Sequence, residues 1–145
     1  MEPTSWRFFL YLSLVGLGLS SYLTAVSLVT VDLSFCEPHP LLSCESVIYS
    51  QYSRILGVPV ALVGAMGFAA LFMLSYGALL FEGGPTKVLS DLAAVISVAA
   101  LAFGVYLNYL EFLVIGSLCI LCLATFLLIV PMVLLSLRGI RPRSG

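Results

Sequence analysis

Four long apolar runs dominate the sequence, at about residues 8–31, 58–81, 92–110 and 117–137. A helix needs about 20 mainly apolar residues to cross a lipid bilayer, and each run is close to that length. The runs are continuously apolar rather than alternating, which predicts helices and not the strands of a barrel. We therefore predict an all-α membrane protein, in which residues 1–145 form a single domain built as a bundle of four transmembrane helices.

The composition supports lipid as the solvent for much of this surface. Hydrophobic residues make up 61% of the chain and charged residues only 9%, whereas soluble domains have about 25% charged residues. The net charge is -1, and the sequence has no basic stripe of the kind that binds nucleic acid. We therefore expect membrane lipid to contact the protein, and we expect no nucleic-acid partner.

The basic residues predict how the bundle is oriented. One of them, Arg54, lies on the opposite side from the two chain termini, and the other five lie on the terminal side: Arg7, Lys87, Arg138, Arg141 and Arg143. Basic residues are enriched in cytoplasmic loops, so this bias predicts a multi-pass protein of the cell membrane with both termini in the cytoplasm. The loop of residues 32–57 then faces outside.

The four cysteines form two closely spaced pairs on that outer side. Cys36 and Cys44 lie in the outer loop, while Cys119 and Cys122 begin the fourth apolar run at the same face. The outer side is oxidising, so disulfides persist there. On a helix, residues i and i+3 share a face, which lets Cys119 and Cys122 pair. With Ser117 as the expected N-cap, the start of this helix favours a thiolate, the form that exchanges disulfides.

Other interpretations of these cysteines remain open at this point. One alternative is that Cys119 and Cys122 are buried in a core as small apolar side chains. Another is that Cys36 and Cys44 form a structural disulfide. A zinc site that includes His39 is disfavoured, because only one pair has the short spacing of a zinc knuckle, and we expect no metal. Two pairs on one membrane face favour thiol exchange, since a static disulfide needs no second redox-competent pair.

The loop before the second apolar run carries an amphipathic pattern. Over residues 46–56 the apolar residues fall near one face of a helix, and the other face is polar. The apolar residues are Val47, Ile48, Tyr52, Ile55 and Leu56. This spacing predicts a short helix that lies on the membrane surface in the first outer loop.

Three segments of the sequence resemble the vitamin K epoxide reductase family. They read CESVIYSQYSRILGVPVA at residues 44–61, YLEFLVIGSLCILC at residues 109–122 and SSYLT at residues 20–24. The upstream Cys36 has the spacing found in the family, and the similarity extends over nearly the whole chain.

The resemblance implies a four-helix bundle that surrounds a quinone and an electron path through the four cysteines. It implies that Cys122 faces the quinone, that Cys119 exchanges with Cys44, and that Cys36 exchanges with a thioredoxin-like (DsbA-like) protein. Ser50 matches a hydroxyl position near the active site. We expect the quinone, of the menaquinone or ubiquinone type, to contact three further residues: Phe126, Val60 and Tyr109.

The sequence departs from vertebrate members of the family at two positions. Phe126 stands where they carry a tyrosine, and no amide occurs near Pro59 and Val60 where they carry an asparagine. These departures favour a prokaryotic enzyme that generates disulfides outside the cytoplasm with a respiratory quinone. Many prokaryotic relatives carry a fused thioredoxin-like domain, and because this chain ends at Gly145 we expect its thioredoxin-like partner to be a separate protein. The alternatives are a quinone or vitamin K reductase fed by thiols, and a small membrane bundle with structural disulfides and a binding or assembly role.

Overall fold

The computed structural model describes residues 2–29, 44–81 and 86–140. Its four long helices are α1 (Pro3–Leu28), α3 (Val60–Leu80), α4 (Thr86–Tyr109) and α5 (Ile120–Ile140). A short helix α2 (Cys44–Ile48) and a 3-10 turn (Gln51–Ser53) precede α3. Strand β1 (Arg54–Ile55) pairs antiparallel with β2 (Val58–Pro59). A π-helical turn (Leu110–Ile115) continues α4.

The predicted four-helix membrane bundle is confirmed. All four long helices are long and apolar enough to cross a membrane, the third with its π turn included. Each helix packs against its neighbours around a common interior, in the cyclic order α1, α3, α4 and α5. Large apolar side chains cover the outside, where Met73, Val95 and Phe112 are 68%, 67% and 66% exposed. Such a surface suits lipid, because lipid tails solvate apolar side chains as well as a protein core does.

The helix boundaries differ from the predicted ones at several ends. Helix α1 begins at Pro3 rather than near residue 8, because a proline in the first turn lacks an N–H that would have no partner anyway. Val58 and Pro59 lie in β2 and not in the second membrane helix. The third span extends through the π turn to Ile115. Residues 111–115, which lie between the third and fourth apolar runs and were expected to form a turn on the outer side, are therefore helical.

The surface helix predicted over residues 46–56 is wrong in extent. Helix α2 ends at Ile48, and the chain then turns into the β1–β2 hairpin. Leu56 and Gly57 form its two-residue connection with positive φ angles of 53° and 83°, a backbone that glycine favours and that matches the twist of paired strands. The Arg54 guanidinium donates to the Ser27 carbonyl at 3.3 Å, which ties this segment to the end of α1.

Glycines in α1 and α4 leave room for aromatic rings of the neighbouring helices, because small residues allow close packing between membrane helices. The Phe68 ring of α3 lies directly over Gly16 of α1 and would collide with any Cβ atom placed there. Phe68 is 4% exposed and belongs to the main core with Phe9 and Leu71. In the same way, a Cβ atom on Gly104 of α4 would lie 2.8 Å from the Phe126 ring of α5.

We predict that Gly16→Ala destabilises the bundle, because the Phe68 ring is held in the core and has to shift. Overpacking of this kind costs about 1–3 kcal/mol. Gly18→Ala is the matched control, since a Cβ atom on Gly18 in the same helix meets nothing within 4 Å. Thermal unfolding in detergent micelles, followed by circular dichroism, should show a lower midpoint for Gly16→Ala only. Equal midpoints for the two variants would contradict this packing.

Candidate active site

Cys119 lies at the N-terminal end of α5, immediately before the first helical residue. Its carbonyl accepts the Leu123 N–H at 2.9 Å, and its Sγ accepts the Cys122 N–H at 3.4 Å. The cysteine sulfur therefore takes the N-cap role that a serine or aspartate oxygen usually has. The expectation that Ser117 caps the helix is wrong, because α5 begins later than predicted and Ser117 donates its own N–H to the Glu111 carbonyl at 3.2 Å.

This position favours the thiolate form of Cys119. A hydrogen bond from the Cys122 thiol lowers the pKa of Cys119 to about 6. Hydrogen bonds from the Cys122 backbone, the Cys44 side chain and the Leu121 backbone lower it further, while burial opposes the shift. The positive end of the α5 dipole acts in the same direction. Cys119 is thus prepared for nucleophilic exchange near neutral pH, although its side chain is fully buried.

Cys44 lies beside Cys119 and is equally buried. Both side chains are 0% exposed and belong to one cluster with Leu23 and Val26 of α1, against which Cys122 packs. Helix α2 therefore places Cys44 over the start of α5, although the two cysteines are far apart in the sequence. The structure brings Cys44, Cys119 and Cys122 together, as expected. Cys36 lies outside the described residues.

Glu111 is a site residue that the sequence reasoning missed. It is 4% exposed in the π turn, and one of its oxygens, Oε2, accepts the Cys119 N–H at 3.3 Å. Its carboxylate also shares a side-chain hydrogen bond with Cys122. A signal was present in the sequence, because Glu111 is the single charged residue of its apolar stretch, and an ionisable residue at membrane depth marks a functional site by default.

A cavity of about 450 Å³ lies inside the bundle next to Cys122. All four long helices contribute to its walls, which are mainly apolar and aromatic. Its polar lining includes Glu111, Ser50, Asn108 and Thr125. Sites for small organic ligands commonly have about 300–1,000 Å³, apolar walls and a few polar groups, so this cavity suits a quinone ring.

The expected quinone contacts divide into two groups. Val60 and Phe126 line the cavity, and so does Ser50, whose hydroxyl donates to the Val47 carbonyl at 2.9 Å. Tyr109 is not among the lining residues and is 56% exposed, because it lies on the outer face of its helix. The structure therefore does not bring Tyr109 to this cavity.

Asn108 places a side-chain amide on the cavity, although the sequence has no asparagine near Val60, where vertebrate members of the family carry one. One Nδ2–H of Asn108 donates to the Gly104 carbonyl at 2.8 Å. An amide nitrogen has two hydrogens, so a second donor remains for a ligand in the cavity. The two positions lie on different helices, and only the folded bundle places both of them on the same cavity.

Within residues 2–29, 44–81 and 86–140, no three His, Cys, Asp or Glu side chains are grouped closely enough to hold a metal ion. His39, like Cys36, lies outside these ranges.

The fold and site define a multi-pass membrane protein with a buried thiol centre beside an apolar cavity. The sequence matches the vitamin K epoxide reductase family over residues 7–137, which is most of the chain. The protein therefore belongs to this family, and it is an oxidoreductase of the quinone-related thiol–disulfide type. The resemblance noted in the sequence is confirmed.

We predict that the reduced protein holds one thiolate at neutral pH, at Cys119. Its pKa is lowered to about 6, so the charge persists down to that pH and is lost below it, whereas a free cysteine ionises near 8.5. The ultraviolet absorbance of the thiolate, titrated in detergent, should show a step with this midpoint that Cys119→Ser removes. A first step only above about pH 8, as for an ordinary thiol, would contradict the capping role.

Proposed function

We propose that the protein is a quinone-dependent thiol–disulfide oxidoreductase that generates disulfides outside the cytoplasm. Electrons pass from a separate thioredoxin-like protein to Cys36 and Cys44, then to Cys119 and Cys122, and finally to a quinone of the menaquinone or ubiquinone type. One observation carries this proposal. Cys44 touches Cys119, and Cys122 borders the apolar cavity, so the thiols form a continuous path from the loop to the bundle interior.

The exchange between the two pairs follows from these positions. The Cys44 thiolate attacks the Cys119 sulfur of the Cys119–Cys122 disulfide, and Cys122 leaves as a thiolate. The Cys122 thiolate then takes up a proton, which balances the proton that Cys44 lost on ionising. Cys36 then attacks Cys44, which restores the Cys36–Cys44 disulfide and releases Cys119. The low pKa of Cys119 favours this release, because a thiol of lower pKa leaves faster. Two electrons have then moved inward, and the number of disulfides is unchanged.

The quinone step completes the cycle. Oxidation of the Cys119 and Cys122 thiols to a disulfide releases two electrons and two protons, which reduce a quinone to its hydroquinone. The apolar walls of the cavity exclude water, while Asn108 and Thr125 offer polar atoms for the carbonyl oxygens of the ring. The protein contributes position and surroundings, and the quinone supplies the electron-accepting chemistry.

The distribution of charge supports outer-facing thiols. Arg7 near the start of α1, Lys87 near the start of α4 and Arg138 near the end of α5 all lie at the bundle end away from the cysteines. Arg54 alone, among the described basic residues, lies at the cysteine end. Under the positive-inside rule, the cysteine end then faces outside the cytoplasm.

We predict that removing a resolving thiol traps each intermediate of the relay. Cys122→Ser should accumulate a Cys44–Cys119 disulfide, because these two sulfurs are neighbours in the fold. Cys44→Ser should accumulate a mixed disulfide between Cys36 and the partner protein, since the thiol that resolves it is gone. Non-reducing gels and mass spectrometry of proteolytic peptides identify both species.

The same experiment tests the order and the orientation. A Cys36–Cys119 bond in Cys122→Ser would reverse the order within the loop. Capture of a cytoplasmic protein by Cys44→Ser would contradict the outward orientation, whereas an exported thioredoxin-like protein is expected. If every single cysteine variant kept full quinone-coupled activity, the relay would be wrong and the cysteines would be structural.

We predict that Gly104→Ala weakens quinone binding, because the added methyl group displaces the Phe126 ring, 2.8 Å away, toward the cavity. Overpacking costs about 1–3 kcal/mol, so the KM for a short-chain quinone should rise by about 5- to 150-fold if the quinone complex bears that cost. Gly77→Ala is the matched control, since its added atom would meet Leu89 at an ordinary 3.8 Å, away from the cavity. An unchanged KM in Gly104→Ala would place the quinone elsewhere.

A further inference from the structure

Glu111 has a place in the site that neither the relay nor the cavity explains. Among the described side chains it is the one buried carboxylate, and it lies where the third membrane span reaches the start of α5. Burying a carboxylate costs several kcal/mol unless charges or hydrogen bonds compensate. A packing role alone would be served by a neutral residue, so a carboxyl group here indicates a use for its charge or its proton.

The contacts of Glu111 connect the thiols with the cavity. Its Oε2 accepts the Cys119 N–H, and it lines the cavity beside Cys122. Its carboxylate is also a second acceptor, beside the Cys119 sulfur, for the one proton of the Cys122 thiol. The group is therefore within reach of the proton that Cys122 must lose and of a ligand in the cavity. The π turn that carries it is a helical irregularity that frequently occurs at functional sites.

Crowding at the α5 N-terminus favours movement of a proton between these groups. The helix end stabilises negative charge, but Glu111, Cys119 and Cys122 all lie against it. Three neighbouring negative charges would repel one another strongly in such a dry site. Loss of a proton by one group therefore favours its uptake by the next, which is the property that a proton carrier needs.

We propose that Glu111 is the proton carrier of the quinone step: its carboxylate takes the proton of Cys122 as the Cys119–Cys122 disulfide forms, and delivers it to a carbonyl oxygen of the quinone. This inference rests on the function proposed above. It assigns Glu111 as a catalytic residue, since its carboxylate touches the reacting thiol.

The protons and electrons balance over one turnover. The S–H bond of Cys122 breaks, the bond between the Cys119 and Cys122 sulfurs forms, and both electrons go to the quinone. One proton reaches the quinone through Glu111. The second comes from water, to which Cys119 released its own proton on ionising. The hydroquinone leaves with both protons, and Glu111 returns to its carboxylate form.

Glu111→Gln separates proton transfer from positioning, because the glutamine oxygen still accepts the Cys119 N–H but cannot carry a proton. Two steps are measured separately in detergent: reduction of the oxidised protein by dithiothreitol, and oxidation of the reduced protein by a short-chain ubiquinone. The quinone step should slow by about 10²- to 10⁴-fold, the usual contribution of a general acid or base, while the dithiothreitol step stays nearly unchanged. Glu111→Asp should recover part of the loss, and Asp91→Asn, at the other end of α4, is the control.

The S–H stretching band of Cys122 in the infrared gives a readout that needs no turnover. A carboxylate acceptor lowers the frequency of this band, so Glu111→Gln should shift it upward, and Cys122→Ser identifies the band by removing it. Should Glu111→Gln fold poorly, the same band in the wild type and in Glu111→Asp decides whether the carboxylate holds this proton.

Two results would overturn the inference. One is a quinone step in Glu111→Gln within about threefold of the wild type, well below the usual effect of losing a general base. The other is an equal loss in both steps together with an unmoved S–H band, which would make Glu111 a structural residue. A wild-type protein that exchanges with dithiothreitol but reduces no quinone would reject the proposed function itself, and that outcome is distinct from these two.

Discussion

The start of α5 is the feature on which the rest of the site depends. A helix begins with N–H groups that have no partner within the helix, and in this protein the Cys119 sulfur and the Glu111 carboxylate accept them. The hydrogen bond from the Cys122 N–H, which helps to begin the helix, therefore also stabilises negative charge on the Cys119 sulfur. Helix formation and thiol activation have one physical cause, and a change that moves the helix start also moves the reactive atom.

The membrane explains why this arrangement is enclosed. Backbone groups at lipid depth must find hydrogen-bond partners within the protein. The chain therefore passes from α4 to α5 through a π turn, in which the Glu111 carbonyl accepts hydrogen bonds from the N–H groups of both Gly116 and Ser117. Helix α2 covers the thiols on the other side with Val47 and Ile48, and the β1–β2 hairpin follows it in the chain. Cys44 reaches Cys119 because this segment is tied to the end of α1 by Arg54 and Tyr49.

The sequence predicted the bundle because its apolar runs have a membrane-spanning length and because lipid admits few alternatives. It also predicted that Cys119 and Cys122 lie together, since their spacing at the start of one helix is a local property. The extent of the surface helix was not predictable from periodicity, because positive φ angles at Leu56 and Gly57 interrupt an otherwise amphipathic pattern.

Contacts that join distant elements were harder to predict. Tyr109 was expected at the cavity because it is aromatic and lies near the active-site segment, yet the rotation of its helix turns it outward. The same rotation brings Asn108 to the cavity. Glu111 was overlooked as a turn residue, since nothing local in the sequence shows that the helix continues through it as a π turn.

Delivery of electrons from the Cys119 and Cys122 thiols to a quinone is tested most directly by anaerobic single-turnover oxidation. Purified protein lacking Cys36 and Cys44 is reduced, freed of excess dithiol and mixed with a short-chain ubiquinone or menaquinone, and the quinone absorbance is followed. We expect one hydroquinone for each Cys119–Cys122 pair, together with the loss of both thiols. Failure to form hydroquinone, or equal formation by a variant that also lacks Cys119 and Cys122, would contradict this delivery of electrons.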